Sequence, residues 1–283
     1  MKKILLPTDF SENAYNAIKY AVQLFKEEEC TFYLLNTYTP VLYDSEFILY
    51  SPSPLSLDEI YKKNSQKGLE KIEKKVKKEF PNSKHHFEKI SAFSLLNEEI
   101  KEQVKQKNID LVVMGTQGAT GAEQILFGTH TVHAIKRVKC PLLAIPSGFS
   151  YKPPQHILFP TDFDVNYTKD HLKILMDIAS YNSAKIQVLH INFGFELEPK
   201  QKKAKEVLAA YLQETSHTFY SIEKETVTGG IYHFQKENEV DMLVMISNKH
   251  SFFENLLFRP VINEIGFQLK TPFLVIPSGK YNT

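Results

Sequence analysis

The feature that most constrains this chain is that it repeats itself. Lys3-Ile-Leu-Leu-Pro-Thr-Asp-Phe10 returns as His156-Ile-Leu-Phe-Pro-Thr-Asp-Phe163. Asp110-Leu-Val-Val-Met114 returns as Asp241-Met-Leu-Val-Met245, and Cys140-Pro-Leu-Leu-Ala-Ile-Pro-Ser-Gly148 as Thr271-Pro-Phe-Leu-Val-Ile-Pro-Ser-Gly279. Three matches in one order, at the start, centre and end of each copy, mean one structural unit used twice. The offset is 153 residues at the start and 131 at the end, so the second copy is 22 residues shorter. The Tyr-, Phe- and Pro-rich stretch Thr39–Leu57 accounts for most of that difference. At 283 residues the chain has room for two ordinary domains. The repeat places them at 1–148 and 156–283, with a linker over 149–155 where Pro153 and Pro154 interrupt any regular element.

Each copy alternates strand and helix signals. In the first, Ile4–Leu6, Thr31–Leu35, His86–Ile90, Leu111–Met114 and Leu142–Ile145 read as strands. Between them, Ala14, Ala17, Ile18, Ala21 and Phe25 form a helical stripe, and Leu57–Phe80, Leu95–Lys107 and Ala122–Arg137 read as helices. Ser11 stands where an N-cap is wanted, and Asp164 occupies that place in the second copy. The second copy follows with strands near Ile157–Phe159, Ile186–Ile191, Phe219–Ile222, Met242–Ile246 and Phe273–Ile276. Apolar strands separated by helices predict an α/β fold in which parallel sheets are covered on both faces. The fold class is therefore two tandem doubly wound sheets of five parallel strands each. In such sheets ligands sit beyond the carboxyl ends of the strands, at the switch point.

Composition excludes several classes. The first half, to Gly148, carries 20 Lys/Arg against 18 Asp/Glu, and the rest 14 against 15. Neither half is a basic body of the kind that binds nucleic acid. Two cysteines, Cys30 and Cys140, with no CxxC or Cys/His cluster, form no disulfide framework or zinc site and fit a reducing compartment. They read as core thiols at strand starts. The opening MKKILLPTDF has too short an apolar run for a signal peptide, and no stretch approaches the ~18 apolar residues of a membrane span. A cytoplasmic protein is expected. The Lys-rich stretch Lys62–Lys78 alternates with Glu70 and Glu73 and reads as a solvated helix face. Ser147 and Ser278 end strands with no Ser/His/Asp set nearby. Tyr43, Phe47, Tyr50, Pro52 and Pro54 fit a lid or partner surface, and fit equally a packed loop over the domain seam.

The chemistry-bearing motif follows Met114: Gly115-Thr-Gln-Gly118-Ala-Thr-Gly121-Ala-Glu-Gln-Ile-Leu-Phe-Gly128-Thr129. Glycines let a backbone curl around an anion with its N–H groups inward. This is no P-loop, because no Gly-Lys-Ser/Thr follows, and no Rossmann fingerprint, because it does not follow the first strand. Taken alone, such a turn is also compatible with a ligand-free connection.

Gly115, Gly118, Gly128 and Thr129 meet Gly-x2-Gly-x9-Gly-Ser/Thr at every position, with Pro7-Thr8-Asp9 at the first strand end and Cys140-Pro-Leu-Leu-Ala-Ile-Pro at the close. With these residues the whole chain resembles the universal stress protein family in its tandem form, and the glycines resemble those of its ATP-binding branch. The resemblance implies an adenine-nucleotide alpha-hydrolase-like fold whose halves pack through their last strands about a pseudo-twofold axis, an intramolecular counterpart of a dimer. It implies ATP as ligand, with Mg²⁺, and leaves ADP and AMP open. Asp9, beside Pro7 and Thr8, would accept bonds from ribose hydroxyls, and backbone around Thr37 and Met114 would flank the adenine. Gly115, Thr116, Gln117 and Gly118 would turn about the phosphates with Gly128, Thr129 and His130, although His130 also reads as a surface helix residue. Many family members carry a basic residue in this turn, whereas positions 117, 119 and 120 here are Gln, Ala and Thr. Phosphate charge would then rest on backbone dipoles and Mg²⁺.

The second copy departs from the motif throughout. Gly115 becomes Ile246, Gly118 becomes Lys249, Gly121 becomes Phe252, Gly128 becomes Arg259 and Thr129 becomes Pro260. Asp162 survives and reads as a cap for its own turn. No ATP is expected there; a different anion on Lys249, His250 and Arg259 stands against plain solvated charge. Phosphoryl transfer needs an in-line nucleophile and charge stabilisation that no residue in the motif supplies. The expectation is a regulatory ATP-binding protein with one site, in the first domain, acting on a protein partner, with further homodimerisation of the whole chain open. The alternatives are a slow ATPase at that site and a ligand-free scaffold.

Overall fold

The computed structural model describes residues 1–39, 54–116, 129–224, 226–247 and 271–279, with the side chains of 54–58 and 129 outside that set. Tyr43, Phe47, Tyr50 and Pro52 therefore lie outside the described residues. So do Gln117, Gly118, Gly121 and Gly128, and in the second copy Lys249, His250, Phe252, Arg259 and Pro260. Internal contacts divide the chain into two compact units, Met1–Val138 and Lys139–Thr283.

The first unit runs β1 (Lys2–Pro7), α1 (Glu12–Leu24), β2 (Cys30–Tyr38), α2 (Pro54–Glu79), β3 (His85–Phe93), α3 (Leu96–Lys107), β4 (Leu111–Gly115) and α4 (Thr129–Arg137). Its strands lie in the order β3-β2-β1-β4, all parallel where their pairing is described. β1 needs an unbroken apolar run because helices cover both faces of the sheet, and Ile4, Leu5 and Leu6 are all fully buried. α1 starts at Ser11, whose hydroxyl accepts from the Ala14 N–H at 3.2 Å. Ala14, Ala17, Ile18 and Ala21 then form its buried stripe, as the spacing predicts. α2 buries Leu69, Ile72 and Val76 and leaves its lysines exposed, apart from the half-buried Lys75, whose ammonium lies 3.8 Å over the Tyr15 ring. Glu73 meets two cations, Lys77 at 2.7 Å and Lys89 at 2.6 Å.

The second unit runs β5 (Leu142–Ile145), β6 (His156–Pro160), α5 (Lys169–Asn182), β7 (Lys185–Asn192), α6 (Pro199–Leu212), β8 (His217–Glu223), α7 (Val227–Glu237), β9 (Met242–Ser247) and β10 (Phe273–Pro277). The order is β5-β10-β9-β6-β7-β8. All described pairs are parallel except β5 with β10, which run antiparallel with Leu143 opposite Leu274. The strands that close the two sequence repeats are thus hydrogen-bonded to each other.

The repeats share more than motifs. Asp110 accepts from the Lys3 N–H at 2.8 Å, while its own N–H reaches the Lys3 carbonyl. Asp241 does the same for His156, at 2.9 Å, and adds the Gln155 N–H at 2.8 Å. The aspartate that precedes the fourth strand of each repeat therefore fastens the start of the first. α2 has 26 residues and α6 only 14, and the first four residues of α2 belong to the 39–57 stretch, so the extra length of the first copy is shared between that stretch and the helix it runs into. One expectation is corrected. Asp164 is not the N-cap of α5: Thr168 is, accepting from the His171 N–H at 3.2 Å. The turn after β6 is four residues longer than its counterpart after β1, so the helix begins later, and Asp164 pairs with Lys200 instead.

Candidate functional site

In the order β3-β2-β1-β4 the chain reverses direction of growth at β1, so the switch point lies between the carboxyl ends of β1 and β4. Pro7 ends β1 and Gly115 ends β4. The turn after Pro7 is held by its own side chains. The Thr8 N–H continues the sheet to the Leu35 carbonyl at 2.8 Å, and the Thr8 hydroxyl accepts from the Phe10 N–H at 3.0 Å. Asp9 Oδ1 accepts from the Ser11 N–H at 3.0 Å, and its carboxylate stays exposed at the mouth of the switch point. Phe10 takes a left-handed backbone, φ 67°, so that the chain folds directly into α1.

At Gly115 the end of β4 packs against the first turn of α1. A Cβ there would lie 2.4 Å from Nδ2 and 3.1 Å from the main-chain oxygen of Asn13, in the first turn of α1. A larger residue would have to turn the Asn13 amide aside and shift the first turn of α1 by a few tenths of an ångström. The Gly115 carbonyl accepts from the Thr131 hydroxyl at 3.0 Å, which ties the end of β4 to the first turn of α4. Met114 and Thr116 are buried on either side, Thr37 is half-buried near the end of β2, and His130 is exposed in the first turn of α4. Among the described site residues, Pro7, Thr8, Asp9, Met114, Gly115 and Thr116 therefore gather at the ends of two adjacent strands. Thr37 stands on the neighbouring strand. Thr129 opens α4, and Gln117, Gly118 and Gly128 lie outside the described residues.

Sequence reasoning missed the residues that hold these in place. Asn36 is buried in β2 and donates to the Thr8 carbonyl at 2.7 Å. Its signal is a lone amide closing an apolar strand. Asn13 and Thr131 look like ordinary helix residues until the glycine is seen against them. Gly68, in the middle of α2, is explained by the Phe10 ring: a Cβ at Gly68 would lie 2.3 Å from Phe10 Cζ. A mid-helix glycine costs about 1 kcal/mol against alanine, which was the available signal that something packs on it.

The second unit builds the same turn and fills it. Thr161 Oγ1 accepts from the Phe163 N–H at 3.0 Å, and Asp162 Oδ1 from the Asp164 N–H at 2.9 Å. Phe163 repeats the left-handed backbone at φ 58°, and the His190 ring bonds the Thr161 carbonyl at 3.1 Å, where Asn36 serves the first unit. Beyond this the likeness ends. Tyr167 is buried with its hydroxyl 2.5 Å from Thr161 Oγ1, Val165 is buried beside it, and Ile246 stands in place of Gly115. Among the described residues these side chains line a void of about 10 Å³ at the ends of β6 and β9.

Among the described residues no group of three or more His, Cys, Asp or Glu is placed to hold a metal ion. No helix among them is long and apolar enough to cross a membrane. Cys30 and Cys140 are free and buried, and burial pushes the Cys30 thiol up to about 12.

Comparison with known proteins agrees with this architecture. The model of the Universal stress protein family matches residues 1–146. Universal stress protein MJ0531 of Methanocaldococcus jannaschii is 33% identical over 147 residues, covering 51% of this chain and 81% of that protein. Universal stress protein MJ0577 of the same organism is 30% identical over 154 residues, covering 51% of this chain and 94% of that protein. A crystal structure of a universal stress protein from Archaeoglobus fulgidus matches 98% of this chain and 97% of its own, with a TM-score of 0.68 at 16% identity. At that identity the likeness is one of fold, and it spans both repeats.

Proposed function

The chain belongs to the universal stress protein family, and from that premise we propose that it is a stress-response regulator binding one adenine nucleotide, ATP, in its first repeat. The domains are 1–148 and 156–283, joined by 149–155, in a cytoplasmic protein. Asp9 takes the ribose hydroxyls, Thr37 and Met114 border the adenine, and the Gly115–Gly118 turn with Gly128, Thr129 and His130 takes the phosphates. Mg²⁺, carried with the nucleotide, supplies the positive charge that positions 117, 119 and 120 do not.

The observation that carries this reading is the close approach at Gly115. The absence of a Cβ lets the end of β4 press on Asn13, in the first turn of the helix that follows the exposed Asp9, at the switch point where α/β sheets take their ligands. The second repeat supports a single site by contrast, because Tyr167, Val165 and Ile246 occupy the equivalent place.

Calorimetric titration of Mg-ATP into the full chain, beside Asp9→Ala and Gly118→Arg, tests it. Binding in the wild type that both substitutions remove supports the site as drawn. No heat at millimolar ATP removes the nucleotide reading and leaves a scaffold. Turnover of bound ATP under the same conditions would make the site a slow ATPase.

A further inference from the structure

The four additional residues after β6 do more than delay α5. They fold between the end of β6 and the first turns of α6, and enclose a cavity of about 440 Å³ that opens beside Ser278, the residue after β10. This cavity adjoins the small void at the switch point, and the buried Val165 and Tyr167 line both. Its apolar lining includes Phe163, Val165 and Val207, and its polar lining Asn166, Ser278, Lys203 and the Asp164–Lys200 pair.

The charges around it do not balance. α6 begins Pro199-Lys-Gln-Lys-Lys-Ala-Lys205, a dense cluster of cations where the helix dipole is already positive. Lys200 is matched by Asp164 at 2.5 Å, Lys202 by Glu196 at 3.4 Å, and Lys205 lies 5.4 Å over the Phe219 ring and 5.9 Å over the Phe163 ring. Lys203 has no carboxylate or ring partner among the described residues, and it is the lysine of this cluster, besides the Asp164-paired Lys200, that lines the cavity. Ligand pockets of roughly 300–1,000 Å³ typically combine an apolar lining with a few polar groups that fix orientation.

We propose that this cavity of the second unit binds a small organic anion. Its ring or aliphatic body lies on Phe163, Val165 and Val207, and its acidic head meets Lys203 with Asn166 and Ser278 as hydrogen-bonding partners. The second unit, having closed the switch point, thus holds a ligand of its own.

The probe is 8-anilinonaphthalene-1-sulfonate, an aromatic monoanion, titrated by fluorescence into the folded full-length protein and compared with the neutral N-phenyl-1-naphthylamine. The expected result is saturable binding at one site per chain, with the neutral analogue at least about tenfold weaker, the scale of one charge–charge contact of about 1.4 kcal/mol. Lys203→Glu weakens the anion by a similar factor, Ala204→Trp, which fills the cavity, abolishes its binding, and Lys173→Glu, the same charge change on α5, leaves it unaltered. Thermal melts of each variant establish that it is folded. No saturable binding to the wild type, equal binding of the neutral analogue, binding indifferent to Lys203→Glu, or displacement of the probe by ATP would each overturn the proposal.

Discussion

Asp241 offers the sharpest test of how each repeat is held closed. Its side chain is 8% exposed and one oxygen, Oδ2, accepts both the Gln155 N–H at 2.8 Å and the His156 N–H at 2.9 Å, while Oδ1 meets Lys152 at 2.5 Å. Alanine leaves two main-chain donors without a partner at the start of β6. At about 1–3 kcal/mol for a donor left without a partner, and with the exposed Gln155 reached by water, the loss is about 1–4 kcal/mol. Asparagine keeps one oxygen in the place of Oδ2, so both N–H bonds survive as neutral ones. It loses the pair with the largely exposed Lys152, worth about 0–1 kcal/mol, and the charge assistance to two bonds. Asp241→Ala should therefore cost about 1 kcal/mol or more beyond Asp241→Asn, and roughly 2–4 °C of Tm per kcal/mol makes the difference measurable by calorimetry. The carboxyl has a pH signature as well. Burial pushes its pKa up, but Lys152 and the two N–H groups outweigh burial and hold it below the usual carboxylate range. Its stabilisation is present above the unfolded value and is lost as pH falls through the folded one, so the wild type should lose stability in acid faster than Asp241→Asn. Equal cost for alanine and asparagine, or an alanine variant less than about 1 kcal/mol below wild type, would refute the clamp.

The remaining predictions concern single contacts. Burial lowers the pKa of His85 against the opposing bond to the Phe25 carbonyl, so the unfolded chain binds more protons near pH 6. The first unit should lose stability as pH falls below about 6.5, and His85→Phe should flatten that slope in denaturant melts. Gly230→Ala, which in an open helix would stabilise, places its Cβ 2.7 Å from Ile191 Cγ1 and should destabilise by about 1–3 kcal/mol. In an Ile191→Ala background the same change should cost less, a coupling read from the double-mutant cycle. Cys30 should resist thiol reagents until the chain unfolds, because it is buried and its thiol is pushed up to about 12; labelling at the rate of a free thiol in native buffer would contradict this.

Much of this was legible in the sequence because the sequence says it twice. Unbroken apolar runs such as Ile4–Leu6 can only be strands covered on both faces, and the recurrence of Pro-Thr-Asp-Phe places the same turn at the same point of each repeat. What was not legible depends on contacts between distant residues. Asn36 and His190 differ in type yet serve the same carbonyl, so no motif connects them. Gly68 has meaning only when the Phe10 ring is placed on α2. The misassigned cap at Asp164 shows the same limit: aligned by the flanking motif it looks like Ser11, but four further residues give the role to Thr168. The filling of the second switch point was half legible. Ile246 could be read against Gly115, but Tyr167, aligned by offset with Ala14 of α1, could not be seen to enter the site.

The central claim is one nucleotide per chain, held by the first repeat. Equilibrium dialysis of the purified chain against radiolabelled ATP with Mg²⁺ counts it directly, with Asp9→Ala and Asp162→Ala measured in parallel. The account predicts one ATP per chain, lost in Asp9→Ala and retained in Asp162→Ala. Two per chain, none, or a single site that depends on Asp162 would contradict it.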